Sequence, residues 1–154
     1  MHYLTVQDMI WINMQVTKKT LPFNYAKLEE ATFNQYGYGN SASVMNQAAR
    51  VLSGFTNKKP FTNGNEAAAF IATMAFLKMN GFKVSLSDET ATHWIERASK
   101  DSSVATEALT DITSPDGSYH EDEEPRVRDV VHDVMDTYPK TLSLLSHSRS
   151  LVGV

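Results

Sequence analysis

The chain has 154 residues, 42% of them hydrophobic and 21% charged, which is typical of one globular domain rather than of a disordered chain. Its formal net charge of −4 gives no general attraction to nucleic acid or to an anionic membrane, so neither is expected as a partner. The absence of cysteine excludes disulfides and thiolate metal sites. Because we find no signal-peptide pattern and no apolar run of about 18 residues, we expect a cytoplasmic protein.

The first third of the chain predicts three helices. Thr5 is a candidate N-cap, and Asp8 three residues later completes a variant capping box. Asn24 is the candidate cap of the second helix, and Gly54 should loosen the last turn of the third. The predicted ranges, from caps and apolar spacing, are about 5–19, 25–36 and 43–55.

A fourth helix, over 66–79, is apolar nearly all round and is followed by Asn80-Gly81 as a C-cap. A helix of this kind belongs in the middle of a bundle. Residues 82–86 alternate in polarity, which predicts a short strand or one arm of a β-hairpin. The sequence therefore predicts an all-α fold, a helical bundle around this buried central helix.

The second half gives weaker signals. Pro125 is compatible with the first turn of a last helix, and Pro139 should end that helix before one more turn. The polar loop is the best candidate for a mobile segment. The predicted ranges are helix 87–99, a weak helix 106–112, a polar loop 113–124, helix 125–138 and a turn 141–145. We expect a single domain over 1–154, with a core of 1–98, a loop-rich region of 99–124 and a helical extension of 125–145.

The loop before the central helix is the candidate site. Its sequence, over 57–66, is Asn-Lys-Lys-Pro-Phe-Thr-Asn-Gly-Asn-Glu. Lys59 should be extended because it precedes Pro60, and a glycine turn that leads into a helix presents backbone N–H groups to an anion. An ordinary junction between a loop and a helix is the alternative. The candidate anion- or nucleotide-binding residues are Phe61, Thr62, Asn63, Gly64, Asn65 and Glu66.

These letters resemble a known family. Lys-Pro-Phe-Thr-Asn-Gly-Asn, over 59–65, is similar to the Fic/Doc (death-on-curing) signature His-Pro-Phe-x-Asp/Glu-Gly-Asn-Gly/Lys-Arg. The likeness continues into Phe-Leu-x-x-Asn-Gly over 76–81, and the opening Tyr3–Ile10 looks like a Doc-type start. It covers roughly residues 1–98 and implies the helical fold of that family.

The resemblance also implies an activity, and the departures from it weaken that activity. Family members bind a nucleoside triphosphate at the loop, and a histidine activates a protein hydroxyl to which AMP or phosphate is transferred. In this chain Lys59 stands at the position of the family's histidine, and Asn63 stands at the position of its metal-binding acid. Glu66 replaces the family's Gly or Lys, and Ala67 replaces its phosphate-binding Arg. A charged lysine is a poor base, and an amide oxygen holds Mg²⁺ weakly.

We therefore expect a binding or regulatory module without transferase activity, with a protein partner such as an antitoxin-like helix or a target protein. No metal and no cofactor are expected. A divergent transferase that uses Lys59 and binds ATP with Mg²⁺ is the alternative, and a homodimer formed through helix 125–138 is a third possibility.

Other groups of residues are weaker candidates for a functional site. His120 stands among acids in the polar loop, where solvated side chains are more usual than a metal site, and His132 on the last helix should pair at the surface. His93 should be half-buried. The stretch Thr92–Glu96 faintly resembles an inhibitory motif of some Fic proteins, although its partner arginine is absent at Ala67. Phe23, Tyr25, Tyr36 and Tyr38 are a candidate binding surface, and ordinary packing of aromatic side chains in the core and at its rim is the equal alternative.

Overall fold

The computed structural model describes the backbone of residues 1–37 and 43–152, and the side chains of these residues as far as Leu145. Within these ranges the chain is mostly helical, so the predicted all-α class is confirmed. The only sheet among the described residues has two short strands. The elements are α1 (Val6–Thr17), α2 (Tyr25–Phe33), α3 (Val44–Lys58), α4 (Asn65–Met79), β1 (Phe82–Val84), α5 (Ala91–Ala98), α6 (Ser102–Ile112), β2 (Thr113–Pro115), α7 (Val127–Thr137) and α8 (Pro139–Val152).

α4 is the buried centre of the molecule, as its apolar sequence predicts. Every residue of this helix except Glu66 and Lys78 is buried. The helices α1, α3, α7 and α8 and the strand β1 pack around it. Its alanines let these neighbours approach closely, while Phe70 and Phe76 fill the space between them. No helix in the described part of the chain is both long and apolar enough to cross a membrane.

Local caps fix the starts of the early helices. Thr5 and Asp8 form the predicted capping box, in which each backbone N–H donates to the other residue's side chain, at 2.8 and 3.0 Å. The ends differ from the prediction, because α2 stops at Phe33 rather than 36 and α3 continues to Lys58 rather than 55. Gly54 does not loosen α3. A Cβ there would lie 2.9 Å from Asn34 Nδ2, so this glycine lets α2 pack closely on α3.

The region 99–124 is less rich in loops than predicted. α6 begins at Ser102, because the Asp101 carboxylate accepts hydrogen bonds from the N–H groups of Ser103 and Val104 at 2.9 and 3.0 Å. The predicted range of 106–112 missed this cap. α6 packs on α3 and α5, and its buried face joins the same core as α4.

The strand predicted near 82–86 is confirmed, but it is not part of a hairpin. β1 pairs antiparallel with β2, and Lys83 lies opposite Ser114. α5 and α6 lie between these strands in sequence, so the pairing is long-range. The predicted loop 113–124 therefore begins as a strand. Its remainder lies beside the N-terminus of the chain, next to Gly81 at the start of β1.

The predicted C-terminal extension of 125–145 consists of two helices. Pro125 precedes α7, whose N-cap is Arg126, and Pro139 begins α8, which is a favourable place for proline. The α8 backbone is helical to Val152, beyond the predicted end at 145.

Asp88, in the loop before α5, anchors the start of α8. Its carboxylate accepts hydrogen bonds from the N–H groups of Lys140 and Thr141 at 3.0 and 2.9 Å. Burial works against ionisation of Asp88, but the hydrogen bonds from Thr141 and Lys140 outweigh it and lower the pKa of the carboxyl group. Burial, with the charge of Asp88, raises the pKa of Tyr138 to about 12, and the Tyr138 hydroxyl donates to the carbonyl of Leu86 at 2.8 Å.

Candidate functional site

The candidate loop, residues 59–64, joins the end of α3 to the start of α4. Lys59 is not extended as predicted but left-handed, at φ 48°, and its N–H donates to the Phe55 carbonyl at 3.3 Å. The reason is that α3 stays helical to Lys58 and needs a residue in this conformation to end it, with Pro60 directly after. The Lys59 side chain is exposed, so it lacks the apolar surroundings that turn a lysine into a general base.

The loop is tied to the segment before α2. Asn24 N–H donates to the Pro60 carbonyl at 2.8 Å, and Thr62 N–H donates to the Pro22 carbonyl at 3.4 Å. Phe61 is buried and meets the ring of Phe23 edge-on, with 6.1 Å between the ring centroids. Phe61 therefore anchors the loop.

Asn65 clasps the loop from the first turn of α4. Its Oδ1 accepts from Phe61 N–H at 3.0 Å, and its Nδ2 donates to the Phe61 carbonyl at 2.8 Å. The side chain is 2% exposed, so both of its polar atoms serve the loop. Any contact of Asn65 with an anion has to come from its backbone. Thr62 and Asn63, in contrast, are exposed.

Gly64 is the residue that turns the chain into α4. It has φ 77°, and a Cβ there would lie 2.5 Å from Thr17 Cγ2 of α1. Asn13, also on α1, is buried and donates from Nδ2 to the Asn63 carbonyl at 2.9 Å. Only glycine fits this left-handed, tightly packed position. The loop is therefore held by α1 as well as by its own residues.

A cavity of about 350 Å³ opens beside the start of α4. The half-buried Glu66 lines it, together with Glu96 of α5. Two carboxylates thus face one cavity at the positive end of the α4 dipole. Carboxylates in the lining suit a cation or a neutral ligand better than a phosphate. The other lining residues are Thr56, Thr92, Ile95, Ser99 and Leu145.

The same cavity has unusual hydroxyl groups in its wall. Thr92 Oγ1 and Ser99 Oγ are buried and, among the described residues, have no hydrogen-bond partner. Such atoms are uncommon in folded proteins. The cavity draws its lining from four helices that are distant in sequence, and the sequence analysis missed it as a unit. Of its lining residues, the sequence singled out Thr92 and Glu96, in the faint likeness to an inhibitory motif, and Glu66 in the candidate loop.

Ala67, at the position of the family's arginine, is buried at 4% exposure. A guanidinium there would have to leave the core or displace it. The prediction that residues 61–66 bind an anion or nucleotide stays a prediction. Their geometry supplies a glycine turn, but the side chains around this turn are acidic or apolar.

The segment 116–124 lies at the opposite end of α4 from the loop. Tyr119 covers Gly81, where a Cβ would come within 2.8 Å of the Tyr119 ring. The carboxylate of Glu121 contacts the N-terminal ammonium group at 2.6 Å, and this hydrogen bond and charge lower the pKa of Glu121. Since α4 has 15 residues and rises about 1.5 Å per residue, roughly 20 Å separates its ends. This segment does not cover the candidate loop.

The described histidines lie apart, each with its own surroundings. His93 is exposed rather than half-buried, and its Nδ1 lies 3.9 Å from Glu96. His132 meets the Trp11 ring edge-on at 5.4 Å, and Arg128 stacks over the same ring at 4.9 Å, so packing on α1 replaces the predicted surface ion pairs. Within the part of the chain that the structure describes, no group of three or more His, Asp and Glu side chains is arranged to hold a metal ion.

Exposed aromatic side chains lie on α2 and in the segment before α2 that is tied to the loop. Phe23, Tyr25 and Phe33 are 39%, 56% and 53% exposed, and we call these three residues the α2 aromatic surface. Tyr36 is half-buried and stacks on Tyr3 at 4.5 Å. Tyr38, also predicted for this surface, lies outside the described residues. Phe23 packs on Phe61 of the loop, whereas Phe33 lies at the other end of α2 and packs on Tyr36 at 6.1 Å. Exposed aromatic side chains are enriched at protein contacts.

In comparisons with known proteins, no family model, no curated protein and no solved structure matches this chain.

Proposed function

We propose that this chain is a Fic/Doc-like helical domain that has lost transferase chemistry and acts as a binding or regulatory module for a protein partner, in the manner of one half of a toxin–antitoxin pair in the cytoplasm. The observation that carries the proposal is the contrast inside the loop. The residues that shape it, Phe61, Gly64 and Asn65, are all engaged in holding it. The positions at which the family has its reactive groups are unsuited to the reaction.

Each of those positions supports the loss. Lys59 is exposed at the end of α3, and Asn63 offers a neutral amide instead of a carboxylate. Glu66 puts a negative charge at the start of α4, where the resemblance would place phosphates. Ala67 is buried and cannot contact a phosphate. These four changes work in the same direction, which is what loss of phosphate binding with retention of the fold would produce.

The α2 aromatic surface supports a protein as the partner. Phe23 belongs to it and also packs on Phe61 of the loop, so a protein bound there would reach the loop directly. Tyr25 and Phe33 sit at opposite ends of α2, and Glu29 and Glu30 lie between them in sequence. Lys27 is also on α2, and Glu30 already pairs with Lys58 at 3.0 Å, so the exposed rings carry the argument. An amphipathic helix with apolar anchors has the chemistry to match them.

The first experiment is a calorimetric titration of the purified protein with ATP and Mg²⁺. We expect no binding at micromolar concentrations. Binding there would contradict the proposal and support the alternative, a divergent transferase that uses the N–H groups at the start of α4. A matched variant, Lys59→His with Asn63→Asp and Glu66→Lys, tests whether the loop itself still accepts nucleotide. Ala67→Arg is left out of this variant because it would bury a guanidinium group.

The second experiment tests the surface. Tyr25→Ser with Phe33→Ser should abolish binding of a partner recovered with the native protein, while Leu144→Ser, which removes an equally exposed side chain on α8, should preserve it. Equal loss in both variants, or in neither, would contradict a partner site on α2. Light scattering over a concentration series separates a homodimer from a heterologous complex, since only the former raises the mass of the pure protein.

A further inference from the structure

The chain has two Asn-Gly steps among its described residues, and they stand at the two ends of α4. In such a step the backbone nitrogen of the glycine can attack the side-chain carbonyl carbon of the asparagine. Glycine has no Cβ to hinder this approach. Asn63-Gly64 precedes α4 and Asn80-Gly81 follows it. The two asparagines differ in exposure and in the hydrogen bonds of their carboxamide groups.

At the first step the reacting groups are already together. Gly64 N–H donates to Asn63 Oδ1, with 2.8 Å between nitrogen and oxygen, so the carboxamide lies against the nitrogen that would attack it. The Asn63 side chain is exposed. Among residues whose side chains the structure describes, Asn63 Nδ2, the group that would leave as ammonia, has no hydrogen-bond partner.

At the second step the carboxamide is fully engaged. Asn80 is 7% exposed, and its Oδ1 accepts from His2 N–H at 2.7 Å. Its Nδ2 donates to the carbonyls of His2 and Phe76 at 2.9 and 2.8 Å. Attack by Gly81 would require breaking these bonds first, and Tyr119 covers the glycine.

We propose that Asn63-Gly64 is a self-modification site at which the folded protein deamidates, while Asn80-Gly81 is protected. The Gly64 backbone nitrogen, having lost its proton to solvent, forms a bond to Asn63 Cγ, and the Cγ–Nδ2 bond breaks to release ammonia. Water then opens the resulting cyclic imide at either carbonyl. The products are aspartate and isoaspartate at position 63, and no oxidant or other reactant is needed. This inference does not depend on the proposed function.

The two products affect the loop differently. Aspartate adds a negative charge near the start of α4, which the helix dipole favours. Isoaspartate adds a carbon to the backbone between positions 63 and 64, where the Asn63 carbonyl accepts from Asn13 and Gly64 is packed against Thr17. Both products add a negative charge to the loop, and the isoaspartate form should also loosen the contact of the loop with α1.

The experiment compares both steps in one sample. The native protein is incubated at neutral pH and physiological temperature for several days, then digested with trypsin at mildly acidic pH beside a zero-time control. Lys78 and Lys83 place Asn63 and Asn80 on separate peptides, and tandem mass spectrometry locates the conversion of amide to acid. We expect Asn63 to convert at least about tenfold faster than Asn80, because Asn80 must wait for local opening.

Two controls make the result decisive. In protein unfolded with urea, both steps should convert at similar rates, which shows that the fold creates the difference. Asn63→Gln, a change at an exposed position that makes ring closure much slower, should abolish conversion at 63 and leave Asn80 unaffected. The proposal is overturned if folded Asn63 converts no faster than Asn80, or if it converts only after unfolding.

Discussion

The two ends of α4 use the same dipeptide in opposite ways. Both have an Asn-Gly step with the glycine at positive φ, 77° for Gly64 and 95° for Gly81. At the C-terminal end, Asn80 joins His2 to the last turn of α4 through three hydrogen bonds. At the N-terminal end, Asn65 has that structural role, and Asn63 is left exposed. Reactivity and ligand access therefore depend on the tertiary partners of each step and not on its letters.

The ends also differ in what lies over them. The segment 116–124 and the N-terminus lie over the C-terminal end, where Tyr119 packs on Gly81 and Glu121 holds the ammonium group. At the N-terminal end α1 and the segment before α2 hold the loop, through Asn13 and through the backbone of Pro22 and Asn24, while Thr62 and Asn63 are exposed. The N-terminal end is thus the one available for binding. Four predictions test this comparison.

The largest effect is expected from Gly64→Ala, which would disrupt the N-terminal end. An alanine at position 64 would have an unfavourable positive φ, and its Cβ would lie 2.5 Å from Thr17 Cγ2. These terms together should lower the free energy of unfolding by about 2–4 kcal/mol, measured by urea denaturation. Gly117→Ala is the matched control, because a Cβ there has open space, and it should change stability by less than about 0.5 kcal/mol. Equal effects would show that α1 does not pack on the loop as described.

Next is Asn65→Ala, which removes the clasp on the loop but keeps helix propensity. It leaves the N–H and carbonyl of the buried Phe61 without their partners, so we expect a loss of about 2–3 kcal/mol in unfolding free energy. Asn63→Ala, two residues earlier and exposed, should cost less than about 0.5 kcal/mol. If the two variants lose similar stability, the division of roles between these asparagines is wrong.

A smaller, pH-dependent effect is expected from Asp88→Ala, which removes the hydrogen bonds at the start of α8, the helix that lines the cavity with Leu145. Losing this cap should cost about 1 kcal/mol at neutral pH. Since the pKa of Asp88 is lowered in the folded protein, its ionised form contributes stability above the ordinary carboxyl value of about 4. That contribution disappears as the pH falls through the lowered pKa, so native and variant should converge in acid. Asp136→Ala, on the exposed side of α7, is the charge control, and a constant difference at all pH values would contradict the assignment.

The smallest effect is expected from Thr92→Val, which replaces a hydroxyl without a partner among the described residues by a methyl group of the same shape. We expect stability to be unchanged or to rise by up to about 1 kcal/mol in urea denaturation. Thr73→Val is the matched control on α4, because the Thr73 hydroxyl donates to the Ala69 carbonyl at 2.6 Å and its loss should destabilise by about 1 kcal/mol. A destabilisation of Thr92→Val as large as that of Thr73→Val would mean that the Thr92 hydroxyl has a partner in solution.

The sequence by itself determined the features that depend on neighbours a few residues apart. The continuous apolar surface of 66–79 required a buried helix, and the capping residues Thr5 and Asn24 fixed where two helices begin. The glycine turn before α4 was visible for the same reason, since a positive φ at Gly64 is a local requirement. Helix ends were less certain, because Lys59 ends α3 in a conformation that the following proline did not suggest.

Only the tertiary structure decided which polar side chains are free to act. It paired β1 with β2 across two helices, placed 116–124 at the far end of α4, and assigned Asn65 rather than Asn63 to the loop's interior. The cavity with Glu66 and Glu96 likewise joins residues from four helices. The physical reason is that burial and hydrogen bonding between distant segments depend on how the helices pack, and no pattern within a single segment records that packing.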